Sequence, residues 1–259
     1  MNALKQINGR RWGVVALYLV TVFVNYASAT FLFGDSDTGD VSDKYSTLFT
    51  PAGYAFSIWG LIYLALGIYV AYQAFWARPD QHLYDRLAPW LMVNLLFNSL
   101  WLPTFQYELI ALSIIFMLII LGTLIQLQIA LTQDTTLSAQ ERGWVRVPFS
   151  LYLGWISVAT VTNLAVFVKY SGWEIPAASE PTWVVIMAVV GALLAVLVAR
   201  ATRDWIYPLV FVWAYVAIAV KQSNDELIAP VAWGLAAALA VLSAVTLVQQ
   251  ARKKERVVA

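Results

Sequence analysis

Apolar runs of roughly 20 residues recur along the whole chain, and most are long enough to cross the ~30 Å hydrocarbon core of a bilayer as an α-helix. They are read at residues 12–33, 54–76, 87–105, 108–131, 147–168, 182–200, 205–220 and 230–249. At membrane depth no water is present to satisfy the backbone, so an apolar crossing segment must form its hydrogen bonds internally. The predicted fold is therefore all-α, a polytopic membrane bundle of eight spans. The third and seventh spans are short or interrupted. The third is expected to end at Pro103, and the seventh carries Pro208 in its first turn, where proline is tolerated. Only 12% of the 259 residues are charged, against about 25% in an ordinary soluble domain. No polar loop is long enough to hold a soluble domain.

The basic residues test the span count independently. Eight spans place both termini on one side. That side then holds Lys5, Arg10, Arg11, Arg78, Arg86, Arg142, Arg146, Arg200, Arg203, Arg252, Lys253, Lys254 and Arg256, and the other holds Lys44, Lys169 and Lys221, a split of 13 against 3. Lys and Arg are retained on the cytoplasmic side, so both termini are expected inside, and a split this tight fits a bacterial inner membrane. The net charge of +1 gives no field that would attract nucleic acid. The first outer loop is acidic, with Asp35, Asp37, Asp40 and Asp43, and the basic tail Arg252–Arg256 reads as an anchor near anionic headgroups. Lys5, Arg10 and Arg11, the following apolar run and Ala27-Ser28-Ala29 imitate a cleavable signal. The run continues past that site through Phe31-Leu32-Phe33, which favours a retained first span.

The chain has no cysteine, which removes disulfides, thiolate metal sites and thiol nucleophiles. Its one histidine, His82, falls in a polar stretch between spans. The cores of the predicted spans contain no Asp, Glu, Lys, Arg or His, whereas ion-coupled transporters usually need ionisable groups at that depth. The polar residues inside the spans are neutral, among them Asn25, Ser57, Asn94, Asn98, Ser99, Gln126, Gln128, Ser157, Thr160, Thr162 and Asn163. Hydrogen bonding between helices accounts for most of them. Asn94 and Asn98 lie one turn apart on one face of the third span, so their partners are either a neighbouring helix or a ligand. Of the 12 tryptophans, Trp12, Trp76, Trp90, Trp144, Trp173, Trp183 and Trp205 lie at span ends, where an indole sits in the interfacial belt. Trp59, Trp155 and Trp213 lie deeper. A deep indole either packs the core or walls a pocket for a flat apolar ligand, and its N–H needs an acceptor.

Three stretches carry a resemblance. The first is Pro51-Ala52-Gly53-Tyr54-Ala55-Phe56-Ser57-Ile58-Trp59-Gly60-Leu61-Ile62-Tyr63. The second is Asn98-Ser99-Leu100-Trp101-Leu102-Pro103-Thr104-Phe105, and the third is Tyr152-Leu153-Gly154-Trp155-Ile156-Ser157-Val158-Ala159-Thr160-Val161-Thr162-Asn163. Together, in this order and on these spans, they resemble the TspO/MBR family, the tryptophan-rich sensory or translocator-like proteins. Thr50-Pro51 replaces the family's proline pair, and Leu151 stands where the family has a proline before the tyrosine. The resemblance covers roughly residues 8–170. It divides the chain into a TspO-like five-span bundle, residues 1–175, and a three-span extension with the basic tail, residues 176–259.

The resemblance implies a ligand-binding sensor or regulator whose pocket lies in the five-helix bundle under the loop between the first two spans. Trp59, Tyr63, Asn98, Trp101, Tyr152, Trp155, Ala159 and Asn163 carry over as pocket wall or pocket support, and no catalytic or metal residue is implied. Family ligands include porphyrins, haem, sterols and other flat apolar molecules; no cofactor is required, and a porphyrin or haem is the ligand expected. With no Cys and no His at depth, the usual strong axial ligands for haem iron are missing, so stacking and apolar burial would dominate. The resemblance also allows a homodimer, a light- or oxygen-dependent degradation of porphyrin, or transport of a neutral lipid-like solute. The three extra spans fit transport by enlarging the bundle.

Overall fold

The computed structural model describes residues 9–30, 36–76, 82–134, 137, 139–173 and 179–258, and the side chains of all of these except 139, 140, 142 and 253–258. The described residues form these α-helices: α1 (Gly9–Ala29), α2 (Thr38–Lys44), α3 (Ile58–Phe75), α4 (His82–Gln106), α5 (Ile110–Gln133), α6 (Ala139–Tyr170), α7 (Glu180–Thr202), α8 (Ile206–Lys221) and α9 (Ile228–Val258). A 3-10 turn over Gly53–Ser57 leads into α3. Six segments are long and apolar enough to cross a membrane: Gly9–Ala29, Gly53–Phe75, Ile110–Gln133, Gly143–Tyr170, Glu180–Thr202 and Ile228–Arg252. The protein is a polytopic, all-α integral membrane bundle. The two other apolar runs are also helical, as α4 with its two internal prolines and as the 16-residue α8.

The helix ends follow from side chains close in sequence. Asp37 and Asp40 cap α2 reciprocally: the Asp40 N–H donates to Asp37 Oδ1 at 2.9 Å and the Asp37 N–H to Asp40 Oδ2 at 2.9 Å. Part of the acidic first loop is thus occupied in helix capping; Asp35 lies outside the described residues, as do Lys5, Arg78 and Phe31-Leu32-Phe33. Asp204 caps α8, accepting from the Ile206 N–H at 2.8 Å, and Asp225 caps α9, accepting from the Ile228 N–H at 2.7 Å. Gly172, at φ 64°, ends α6, and Arg203 takes the left-handed conformation at φ 54° to end α7.

Helix boundaries differ from the sequence reading where propensity outlasts hydrophobicity. Pro103 does not end its helix: α4 runs on to Gln106, and the Tyr107 N–H donates to the Pro103 carbonyl at 2.8 Å. A membrane helix accommodates such a proline through its neighbours. α6 starts at Ala139 and α9 continues to Val258, both through polar helix-forming residues beyond the apolar run. His82 is the first residue of α4 and is exposed.

The described residues fall into two compact units. Unit 1 spans Met1–Lys44 and Ser57–Ile156; unit 2 spans Tyr45–Phe56 and Ser157–Ala259. In unit 1, α4 packs on α1, α2 and α5, and α1 also packs on α3. In unit 2, α7, α8 and α9 pack on one another. Several neutral polar residues act as links between helices. Asn94 Nδ2 donates to Thr123 Oγ1 at 2.9 Å and to the Ile120 carbonyl at 3.2 Å, joining α4 to α5. Thr21 and Ser99 join α1 to α4 at 3.0 Å, and Ser157 and Tyr207 join α6 to α8 at 3.0 Å. One device appears in each unit. Tyr18 Oη reaches across Gly67 to donate to the Tyr63 carbonyl at 2.9 Å, and Tyr215 Oη reaches across Gly191 to the Ala188 carbonyl at 2.6 Å. A Cβ on Gly67 or Gly191 would lie 2.4 or 2.6 Å from that hydroxyl, so only glycine admits the approach. Outward faces are apolar: Leu19, Phe23, Leu64, Leu197 and Val241 each expose more than 60% of their surface. Such a continuous apolar exterior suits lipid.

Candidate functional site

The first turn of α3 carries Trp59, with Tyr63 one turn on. At that spacing the two rings share a helix face and stack, with centroids 5.4 Å apart and planes 14° apart. The last turns of α4 bring Trp101 to 6.1 Å from Trp59, and α6 brings Tyr152 to 5.8 Å and Trp155 to 6.4 Å, both edge-on. Trp101 in turn stacks on Phe105 at 5.3 Å. Six of the eight residues expected from sequence therefore meet in unit 1: Trp59, Tyr63, Asn98, Trp101, Tyr152 and Trp155. Ala159 and Asn163 continue α6 one and two turns beyond Trp155, in the part of the helix that belongs to unit 2; Ala159 is half-buried and Asn163 buried.

A hydrogen-bonded ladder fixes these rings. Tyr63 Oη donates to Asn98 Oδ1 at 3.0 Å, and Asn98 Nδ2 donates to Tyr152 Oη at 2.7 Å. One amide on α4 thereby ties α3 to α6. Asn98 and Tyr152 are fully buried, where an amide strengthens both bonds and tolerates no loss of a partner. The cluster itself is neutral. Trp155 is buried against Trp59, whereas Trp59 keeps part of its surface open. The Trp101 N–H is buried with no acceptor among the described residues. The rings contact one another directly, so a flat ligand must stack on the open side of Trp59 or part the rings. Among the described residues no group of three or more His, Asp or Glu side chains is placed to hold a metal ion.

The segment that follows the first loop, residues 45–56, is a strap fixed within unit 2. The Leu48 N–H donates to Glu180 Oε1 at 3.0 Å, at the start of α7. The Ala52 N–H donates to the Ala217 carbonyl at 3.0 Å, and Trp213 Nε1 donates to the Ala55 carbonyl at 3.0 Å, both on α8. Tyr54 packs edge-on against Trp213 at 5.3 Å. The segment that the family resemblance makes a lid is thus held by helices α7 and α8. Trp213 is deep because it anchors this strap. Sequence reasoning could register Trp213 as unusual but not name its partner.

A second polar cluster in unit 1 was missed from sequence. Arg11 is buried and pairs with Asp85 at 3.2 Å, its guanidinium 5.4 Å from the centre of the Tyr84 ring. Nearby, Tyr72 Oη donates to Glu141 at 3.1 Å. Arg11 and Asp85 lie just outside the predicted span boundaries, where a charge reads as a topology signal. The pattern that could have flagged them is a base and an acid each just before the start of a span, the first and the third, with one span between them.

Comparison with curated proteins and with solved structures gives no match. The family model described as TSPO-like protein matches residues 11–245, from α1 through α8 and into α9, and the chain belongs to that family.

Proposed function

We propose that this TSPO-like membrane protein binds flat, apolar ligands of the porphyrin type and acts as a sensor or regulator, with Trp59 and Trp155 as the ring faces that meet the ligand. The observation that carries this reading is the convergence of Trp59, Tyr63, Trp101, Tyr152 and Trp155 from three helices around the Asn98 ladder. Stacked aromatic pairs contribute about 0.5–1.5 kcal/mol beyond burial, so each ring lost should weaken binding by roughly 2- to 12-fold. Protoporphyrin titrated into the purified protein should quench tryptophan emission saturably, with weaker affinity in Trp59→Phe and Trp155→Phe. Quenching that is absent, or identical in all three proteins, would sink the reading.

The topology we infer has eight crossings, the six candidate spans plus α4 and α8, with both termini in the cytoplasm. Polar pairs support it by joining only ends that this threading puts on one side. Arg11–Asp85, Tyr72–Glu141 and the Gln250 bond to the Arg203 carbonyl fall inside, and Lys44–Glu108 and Glu180 with Leu48 fall outside. Because the chain has no cysteine, single replacements report cleanly. An impermeant maleimide should label Lys169→Cys but not Arg203→Cys in intact cells of a bacterial host, and equal labelling refutes the threading.

A further inference from the structure

Unit 2 contains a cavity of about 450 Å³ that none of the motifs anticipates. Its volume falls within the range of small-molecule sites, roughly 300–1,000 Å³. Val161, Leu164 and Val168 from the end of α6 form one wall, Val184 and Met187 from the start of α7 another, and Phe49 of the strap a third. Trp173 and Trp183 add ring faces to the lining, and the methyl-lined part of the space between α6 and α7 suits a flexible chain. Trp183 lines the same cavity, and its indole N–H is shut off from solvent with no acceptor among the described residues. A buried donor of this kind is left unsatisfied until an acceptor arrives. Lys169 and Glu180 also line the space. Glu180 already accepts from the Leu48 N–H, so the cavity's wall and the strap's anchor are one residue.

We propose that this cavity is a second ligand site, taking the acyl chain of an amphiphile whose head carries a carbonyl or carboxylate acceptor for the Trp183 N–H. The chain lies against the valines of α6 and α7, and exposed Leu164 opens the site on the apolar exterior. The exposed ammonium of Lys169 stands beside the head. Fatty carboxylates and the ester-linked chains of glycerolipids share this chemistry. The lining residues all belong to unit 2 and none is part of the Trp59 cluster, so the proposal does not depend on porphyrin binding.

Photocrosslinking of the full-length protein in nanodiscs tests it, using a diazirine-bearing palmitate in one arm and a diazirine-bearing phosphatidylcholine in the other. Adducts mapped to residues 161–169 and 183–187 are expected, and excess unlabelled palmitate or excess unlabelled phosphatidylcholine should suppress them according to the true source. Trp183→Phe keeps the ring and removes the donor, and should weaken competition by about 2- to 12-fold. Ala165 also lines the cavity, so Ala165→Phe fills the space and should abolish the adducts, with unchanged circular dichroism showing that the fold survives. Adducts spread evenly over all outward faces, adducts that neither competitor reduces, or full labelling of Ala165→Phe would overturn the proposal. Trp59→Phe and Trp155→Phe should leave the labelling unchanged, so failure here is distinguishable from failure of the porphyrin reading.

Discussion

Replacing Asn98 by alanine isolates the ladder that holds the aromatic cluster. The change removes two buried hydrogen bonds at once, Tyr63 Oη to Oδ1 at 3.0 Å and Nδ2 to Tyr152 Oη at 2.7 Å. Bonds between membrane helices average about 0.6 kcal/mol and reach about 1.7, so the pair is worth roughly 1–3 kcal/mol. Tyr63→Phe removes only the first bond and should cost about half as much. In the double variant the Tyr63 bond can be lost only once, so the two changes should couple by about 0.6–1.7 kcal/mol. Reversible unfolding in mixed micelles by titration with SDS, followed by far-ultraviolet circular dichroism, yields all four stabilities. Independent sites add within about 0.3–0.5 kcal/mol. A coupling inside that margin would refute the ladder, whatever the single costs. The same cycle with Tyr152→Phe tests the second rung and should give a coupling of similar size.

Gly191→Ala places a methyl group 2.6 Å from Tyr215 Oη and should cost about 1–3 kcal/mol by the same unfolding assay. In a Tyr215→Phe background that cost should shrink, because the clashing oxygen is gone. Arg203→Gly relieves a left-handed backbone at φ 54° and should stabilise by up to about 1 kcal/mol, raising the unfolding midpoint; a lower midpoint would show that the arginine side chain does more than end α7. Trp213→Phe deprives the buried Ala55 carbonyl of its donor, loosening the strap by about 1 kcal/mol. Hydrogen exchange at the Ala52 N–H should then quicken about 5-fold, and an unchanged rate would mean the strap is held elsewhere.

Much of the fold was legible because its determinants are local. Length and hydropathy place the helices, since an apolar segment at membrane depth must close its own hydrogen bonds. The Trp59–Tyr63 stack follows from a four-residue spacing on one helix, and of the two partners the sequence left open for Asn94, a neighbouring helix or a ligand, its Nδ2 takes the helix. The boundaries at Pro103 and at the ends of α6 and α9 were not legible, because neighbours and helix-forming polar residues extend a helix past its apolar core. Asp37 and Asp40 read as charge when their bonds are to backbone N–H groups three residues away.

What the sequence by itself determined is an all-α membrane bundle, its spans and the roster of rings and amides at its centre. Only the tertiary structure decided which of them meet. Asn98 joins Tyr63 to Tyr152, 54 residues further on, and Trp213 takes its acceptor from Ala55 across 158 residues. Arg11 finds Asp85 across 74. The strap over residues 45–56 packs with α7 and α8, and the cavity beside Trp183 is lined by Thr47 and Phe49 of that strap together with helices encoded far downstream. Periodicity fixes which face a residue occupies on its own helix; it carries no information about which distant helix will lie against that face.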